Sequence, residues 1–204
     1  MKALGAWLAT FIEFALLGLG LACVGVYGYS MVEGRIVQRD QRARFERAAA
    51  AKAPYVAAPG SLVGMLDVPR LRMSLPVIEG DDDRTLKASV GHLPDTPMPW
   101  QAGNSAMAGH RDGLFRPLKG VAVGDEITFR TTTEAIRYRV THTTIVKPDD
   151  VSVLAPRSRD TLTLITCYPF SYVGPAPQRF IVHAERISPT PGTAAARSVR
   201  LPES

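Results

Sequence analysis

The chain has 204 residues, with 24 Lys and Arg against 19 Asp and Glu, a net charge of +5. That length allows one domain with a real core beside an apolar segment, but not two such domains. Much of the basic surplus lies between residues 31 and 60, where Arg35, Arg39, Arg42, Arg44, Arg47 and Lys52 face Glu33, Asp40 and Glu46. Without a repeated aromatic–basic pattern, this reads as a segment beside membrane headgroups and not as a nucleic-acid arm.

Residues 3–29 are almost entirely apolar, interrupted by Thr10 and Glu13. The clean run 14–31 matches the ~17–25 residues that a spanning helix needs, and Glu13 at its end can reach the interface. A cleaved signal peptide is the competing reading. No small-x-small cleavage site with a polar exit follows, and Gly25, Gly28 and Tyr29 suit an interfacial helix end, so an uncleaved anchor is expected. The basic residues after the span outnumber Lys2 and the amino group before it. By charge alone the domain would face the cytoplasm.

Residues 32–52 are charged and alanine-rich and read as a helical stalk. Pro54, Pro59 and Gly60 end it. From residue 61 short β-type runs alternate with Gly, Pro and Asp, giving strands at 62–67, 73–78, 105–110, 126–130, 136–146, 161–166 and 179–186. Helical turns are expected at 82–88 and 114–119, and a hairpin connection at 131–134. Seven or eight short strands in such a span argue for an all-β, closed or nearly closed barrel. The expected organisation is therefore a cytoplasmic tip and transmembrane helix at 1–31, a stalk and linker at 32–60, a β-barrel domain at 61–187 and a disordered tail at 188–204.

Of the two cysteines, Cys23 lies in the apolar run and Cys167 deep in the barrel region, so the domain holds one unpaired thiol. In Thr161-Leu-Thr-Leu-Ile-Thr-Cys-Tyr-Pro-Phe170 a β-rich run ends on Cys167. A thiol at a strand end is rigid yet can face a groove, as a nucleophile requires; a small buried hydrophobe is the equally open alternative. His110 follows small residues in Ala106-Met-Ala-Gly-His110, where it could protonate a departing amine or be structural. Arg179 could steady charge on a carbonyl oxygen or lie on a solvated face.

Taken together, these residues resemble the sortases. Gly-His at 109–110, the Thr163-Leu-Ile-Thr-Cys167 box and the later Arg179 occur in that family's order. Cys-Tyr-Pro-Phe, followed by Gly174-Pro-Ala-Pro-Gln-Arg179, is most similar to class D. Gly103-Asn, Ala-Gly-His-Arg-Asp, Phe115 with Leu118, and Gly124-Asp125 extend the likeness over about residues 62–187. The resemblance implies an eight-stranded sortase-type barrel and a cysteine transpeptidase that needs no cofactor or metal. It implies Cys167 as nucleophile, His110 as general acid/base and Arg179 as the arginine that binds substrate and steadies the oxyanion. Thr166, Tyr168 and His92 are its substrate-binding candidates. Residues 146–160 and 168–178 correspond to groove-shaping loops. The implied partners are secreted proteins with a C-terminal LPxTG-like sorting signal, an amine acceptor of the cell envelope, and the membrane. The implied location is the cell membrane, single-pass, with the catalytic domain extracytoplasmic, against the charge rule above. Where the family often has Pro-Gly and further proline before Gly-Asn, this chain has Pro99-Trp100-Gln101-Ala102, which places substrate preference in question.

Other histidines fit the chemistry less well. His183 lies on the face of Arg179 but roughly 13 Å along the strand at ~3.3 Å per residue. His142 reads as a packed or edge residue. One cysteine with scattered histidines lacks zinc spacing, and Asp81-Asp82-Asp83 reads as a solvated turn. The ending Leu201-Pro-Glu-Ser204 echoes a sorting signal, with chance as the plain explanation and a tail visiting the groove as the sharp one. An L,D-transpeptidase would hold histidine and cysteine in one compact His–Gly–Cys box, which is absent. A non-catalytic, membrane-tethered peptide-binding barrel remains the alternative from another class.

Overall fold

The computed structural model describes residues 2–51, 58–172 and 174–187. The tail expected at 188–204, with its signal-like ending, lies outside the described residues, as does Pro54. One helix, α1 (Lys2–Ala50), merges the expected span and stalk, since no proline interrupts either. Its segment Phe11–Tyr29 is long and apolar enough to cross a membrane, and none of it is buried. The chain divides into two compact units, Met1–Arg39 and Asp40–Ser204. The second begins inside α1, earlier than the boundary expected at residue 60.

Within that second unit the last turns of α1 are tied to the barrel. Phe45 is only 2% exposed. The Arg130 guanidinium lies 5.4 Å from the Phe45 ring centroid and 4.0 Å from Glu46. A cation over an aromatic face is held by the ring's negative quadrupole, and the contact also keeps the phenyl ring from water.

Eight strands follow: β1 (Leu62–Val68), β2 (Met73–Glu79), β3 (Val90–His92), β4 (Asn104–Ala108), β5 (Glu126–Arg130), β6 (Ala135–Val146), β7 (Thr161–Tyr168) and β8 (Gln178–Arg186). They close in the order β1-β2-β3-β4-β7-β8-β6-β5. Closure removes the sheet edges that would otherwise pair with other chains. The pairs β2–β3 and β4–β7 are parallel, and the others are antiparallel. A short helix, α2 (Asp83–Ala88), connects the first parallel pair. Asp82 begins it by accepting from the Thr85 backbone N–H at 3.1 Å and the Thr85 hydroxyl at 2.7 Å, so this acidic run includes a helix cap. The turn expected at 114–119 is a short 3-10 helix, Arg116–Gly120. Residues 131–134 close the β5–β6 hairpin, with Thr131 N–H donating to the Glu134 carbonyl.

Alternation sorts each strand between barrel interior and exterior. On β6, Ile136, Tyr138 and Val140 point into the core while Arg137 and Arg139 stay exposed. On β7, Leu162 and Leu164 point in with Val182 of β8 and Met107 of β4. Thr161, Thr163, Ile165 and Cys167 consequently occupy the outer face.

Phe45→Ala should lower the unfolding free energy by about 3 kcal/mol, the cost of emptying a filled aromatic site. Urea denaturation of the detergent-solubilised chain measures it; a change within error would mean that Phe45 contributes no stability.

Candidate active site

Strand pairing brings together residues distant in the chain. In the antiparallel β7–β8 ladder Cys167 is directly opposite Arg179. In the parallel β4–β7 ladder Ala108 is opposite Ile165. The chain continues from there with the Gly109 N–H donating to the Ile165 carbonyl at 3.1 Å. Two steps past Ala108 and two past Ile165 are His110 and Cys167. The same parity puts Arg179 on the exterior with them, since Phe180 and Val182 pack inward. Cys167 and Arg179 therefore share the outer face of β7 and β8, and His110 follows the end of the neighbouring strand β4 at the same end of the barrel.

Burial along that face is graded. Ala106, Thr163, Ile181 and His183 are buried, whereas Ala108, Ile165, Cys167, His110 and Arg179 are half-buried. The buried end lies under the β6–β7 connection, residues 147–160, whose Val153 is itself buried. The outer face is thus roofed at one end and less buried at the Cys167 end. The Arg179 Nη1 makes only long hydrogen bonds, to the carbonyls of Ala176 at 3.4 Å and Gln178 at 3.2 Å. Guanidinium N–H groups beside a thiol can hold an oxygen on which negative charge develops.

The turn carrying His110 is shaped by packing. A Cβ on Gly109 would come within 2.8 Å of the Phe115 ring, so only glycine lets that fully buried ring close beneath the backbone. Gly113 and Phe115 N–H groups both donate to the His110 carbonyl, closing the turn.

The remaining three expected site residues do other work. The Thr166 hydroxyl is buried and donates to the Gly109 carbonyl at 2.7 Å, fastening β7 to the end of β4. Tyr168 points to the opposite face from Cys167 and forms an aromatic cluster with Phe170 and Phe180, at centroid distances of 6.1 and 6.4 Å. His92, expected to touch substrate, is fully buried. Its Nε2 donates to the Pro97 carbonyl at 3.1 Å, leaving Nδ1 2.9 Å from Glu79 across one shared proton. Burial fixes that pair as a brace for the β3–β4 connection. Trp100 lies in the same connection, which enters β4 at the opposite end from His110, and packs against the core.

A polar relay that sequence reading missed anchors the groove's roof. Arg157 donates to His183 Nε2 at 3.1 Å, and His183 Nδ1–H donates to the Thr163 hydroxyl at 3.0 Å. Thr163 donates to Asn104 Oδ1 at 2.6 Å, and Asn104 Nδ2 donates to the carbonyls of Val153 and Ala155. Every proton in this chain has an assigned direction. Burial, then the positive charge of Arg157, then His142 push the His183 pKa down to about 4. His142 stacks on it with ring centroids 4.5 Å apart. The residues come from four separate segments, so only the paired strands reveal them. Among the described residues, no group of His, Cys, Asp and Glu is arranged to hold a metal ion.

A family model described as the Sortase domain matches residues 66–187. The chain is 36% identical over 138 residues to Sortase D of Bacillus subtilis, an alignment covering 67% of this chain and 70% of that protein. Among solved structures, a Clostridium perfringens sortase D5 transpeptidase is similar with a TM-score of 0.63 and 25% identity, covering 76% of this chain and 98% of that one. Sortase C1 of Streptococcus agalactiae is similar with a TM-score of 0.60 and 29% identity, over 66% of this chain and 72% of that one.

The depressed His183 pKa has a definite sign. The unfolded chain binds a proton at this residue as pH falls below about 6.5, but the folded chain does not until about 4, so stability falls with pH across that window. His183→Gln should flatten the slope of unfolding free energy between pH 6.5 and 4 by up to about 1.4 kcal/mol per pH unit. An unchanged slope in urea titrations would show that His183 is not held neutral.

Proposed function

Because the chain belongs to the sortase family, whose members are cysteine transpeptidases, and resembles its class D type, we propose that it cleaves LPxTG-like sorting signals and joins them to an amine of the cell envelope. The observation that supports this reading is the pairing of Cys167 directly opposite Arg179, with His110 in the turn that follows the neighbouring strand β4.

In the first half-reaction the Cys167 thiolate attacks the carbonyl carbon of the Thr–Gly-type bond. Arg179 holds the oxygen as it becomes negative. The C–N bond then breaks while His110, as imidazolium, gives its proton to the departing amine, leaving a thioacyl enzyme and neutral imidazole. In the second half, an incoming amine attacks the thioester, His110 takes back a proton, and the thiolate departs. Acid and base are thus one residue used in both directions, and no cofactor enters. The Thr166 hydroxyl is already spent on Gly109, so its part is to hold the His110 turn against β7.

The segment Phe11–Tyr29 serves in this proposal as a single-pass membrane anchor with the barrel on the extracytoplasmic side. Secreted precursors that carry an apolar stretch after their signal would be retained at the same surface. Sharing that surface raises encounter frequency with no gain in intrinsic affinity.

With a panel of LPxTG-like peptides, Cys167→Ala should abolish cleavage. His110→Ala should lower kcat/KM by ~10²–10⁴-fold and Arg179→Ala by ~10²–10³-fold. Normal cleavage of every peptide by the His110 and Arg179 variants would refute these roles. Peptide binding unaffected by Cys167→Ala, with no turnover by the wild type, would instead identify a non-catalytic binding barrel.

A further inference from the structure

The β4–β7 ladder stops short of both Cys167 and His110. Among the described residues, backbone pairing between β4 and β7 runs out at the Gly109 N–H and the Ile165 carbonyl, and the Thr166 hydroxyl adds one bond to the Gly109 carbonyl. Beyond these, His110 enters a turn closed on itself, and the chain after Cys167 leaves through the β7–β8 connection, residues 169–177. Neither segment is held to the other by sheet hydrogen bonds.

Arg111 bridges that gap. Its Nη2 donates to the carbonyl oxygens of Tyr172 at 2.7 Å and Gly174 at 2.9 Å, and its guanidinium carbon lies 5.7 Å from the Tyr172 ring centroid. Gly174 has a φ of 102°, a left-handed conformation that glycine adopts without strain and that sets the direction of its carbonyl. Arg111 is only 8% exposed, and no carboxylate pairs with it among the described residues. Among the described residues its Nη1 has no hydrogen-bond partner. A buried cation with carbonyls for partners and an unsatisfied donor is a poor stabilising device. An apolar side chain of similar volume at such a site is often neutral or better for stability.

We infer that Arg111 is a positioning residue, which fastens the connection following Cys167 to the turn carrying His110 and so keeps thiol and imidazole at a fixed separation through both proton transfers. This rests on the transpeptidase reading above. Arg111 acts through His110, its neighbour in the chain, on one side and the carbonyls of Tyr172 and Gly174 on the other. Loosening the bridge leaves the signal-binding face intact but spoils the geometry of proton transfer, where misplacement by about 1 Å can cost ~10²-fold in rate.

The test uses the full chain in detergent, an LPxTG-like peptide cleaved by the wild type, and a glycine-based amine acceptor. Arg111→Met fills similar volume without donors, Arg111→Lys retains an ammonium able to donate to both carbonyls, and Gly174→Ala disturbs the acceptor end at an exposed position. Arg111→Met should leave the thermal midpoint unchanged and the peptide KM within about two-fold, while kcat falls at least about ten-fold. Arg111→Lys should recover most of the lost kcat. Gly174→Ala should lower kcat in the same direction, and combining it with Arg111→Met should cost less than the two effects added. Wild-type kcat in Arg111→Met, or no advantage of Arg111→Lys over it, overturns the inference. If the wild type cleaves no peptide, the transpeptidase reading fails by itself. Amide hydrogen exchange over residues 169–178 then decides the bridge: faster exchange in Arg111→Met supports it, and equal exchange overturns it.

Discussion

The structure depends on one pairing choice: β7 lies between β4, which runs parallel to it, and β8, which runs antiparallel. Because side chains alternate across a strand, the register of two ladders decides which residues share a face. A one-residue slip of either ladder would send Arg179 or His110 to the interior and expose leucine or valine in exchange. Core packing by Leu162, Leu164, Val182 and Met107 thus specifies the register, and the register assembles the reactive groups. In the proposed reaction, stability and chemistry are set by opposite faces of the same strands.

A parallel pair cannot be joined by a tight turn, so the chain must travel between the end of β4 and the start of β7. It uses that distance to build β5, β6 and the segment 147–160, and the last of these returns over the outer face. The roof is anchored by polar groups whose donors and acceptors all match, from Arg157 through His183 and Thr163 to Asn104. A second such brace, His92 with Glu79 and the Pro97 carbonyl, holds the β3–β4 connection. In both places the histidine is buried, whereas His110 is half-buried. Buried polar groups of this kind are costly when one partner is missing, so each brace selects a single loop conformation.

Seven of the eight strands and the apolar helix could be read from periodicity, because each carries several alternating or apolar residues. The exception, β3, is three residues long with glycine at its centre, too short for any pattern to emerge. Cys167, His110 and Arg179 stand out in the sequence because each lies at or just beyond the end of a β run within a distinctive motif. The partners of Thr166, Tyr168 and His92 are not legible in the sequence, because nearness along the chain to Cys167 or His110 does not determine the face. Thr166 and Tyr168 alternate away from Cys167, and His92 meets Glu79 only through parallel pairing of β2 with β3. Arg111 adjoins His110 in plain view, yet its carbonyl partners lie in a connection that sequence cannot orient. The helix was read as span plus stalk, and its docking through Phe45 escaped notice because one phenylalanine among arginines makes no stripe.

The most direct test of the central claim is intact-mass measurement after brief exposure to an LPxTG-like peptide with amine acceptors withheld. The account predicts a mass increase equal to the acyl fragment ending in threonine, mapped by proteolysis to Cys167 and released by hydroxylamine or an added amine. Peptide cleavage without any adduct at Cys167, or an adduct on a different residue, would contradict it.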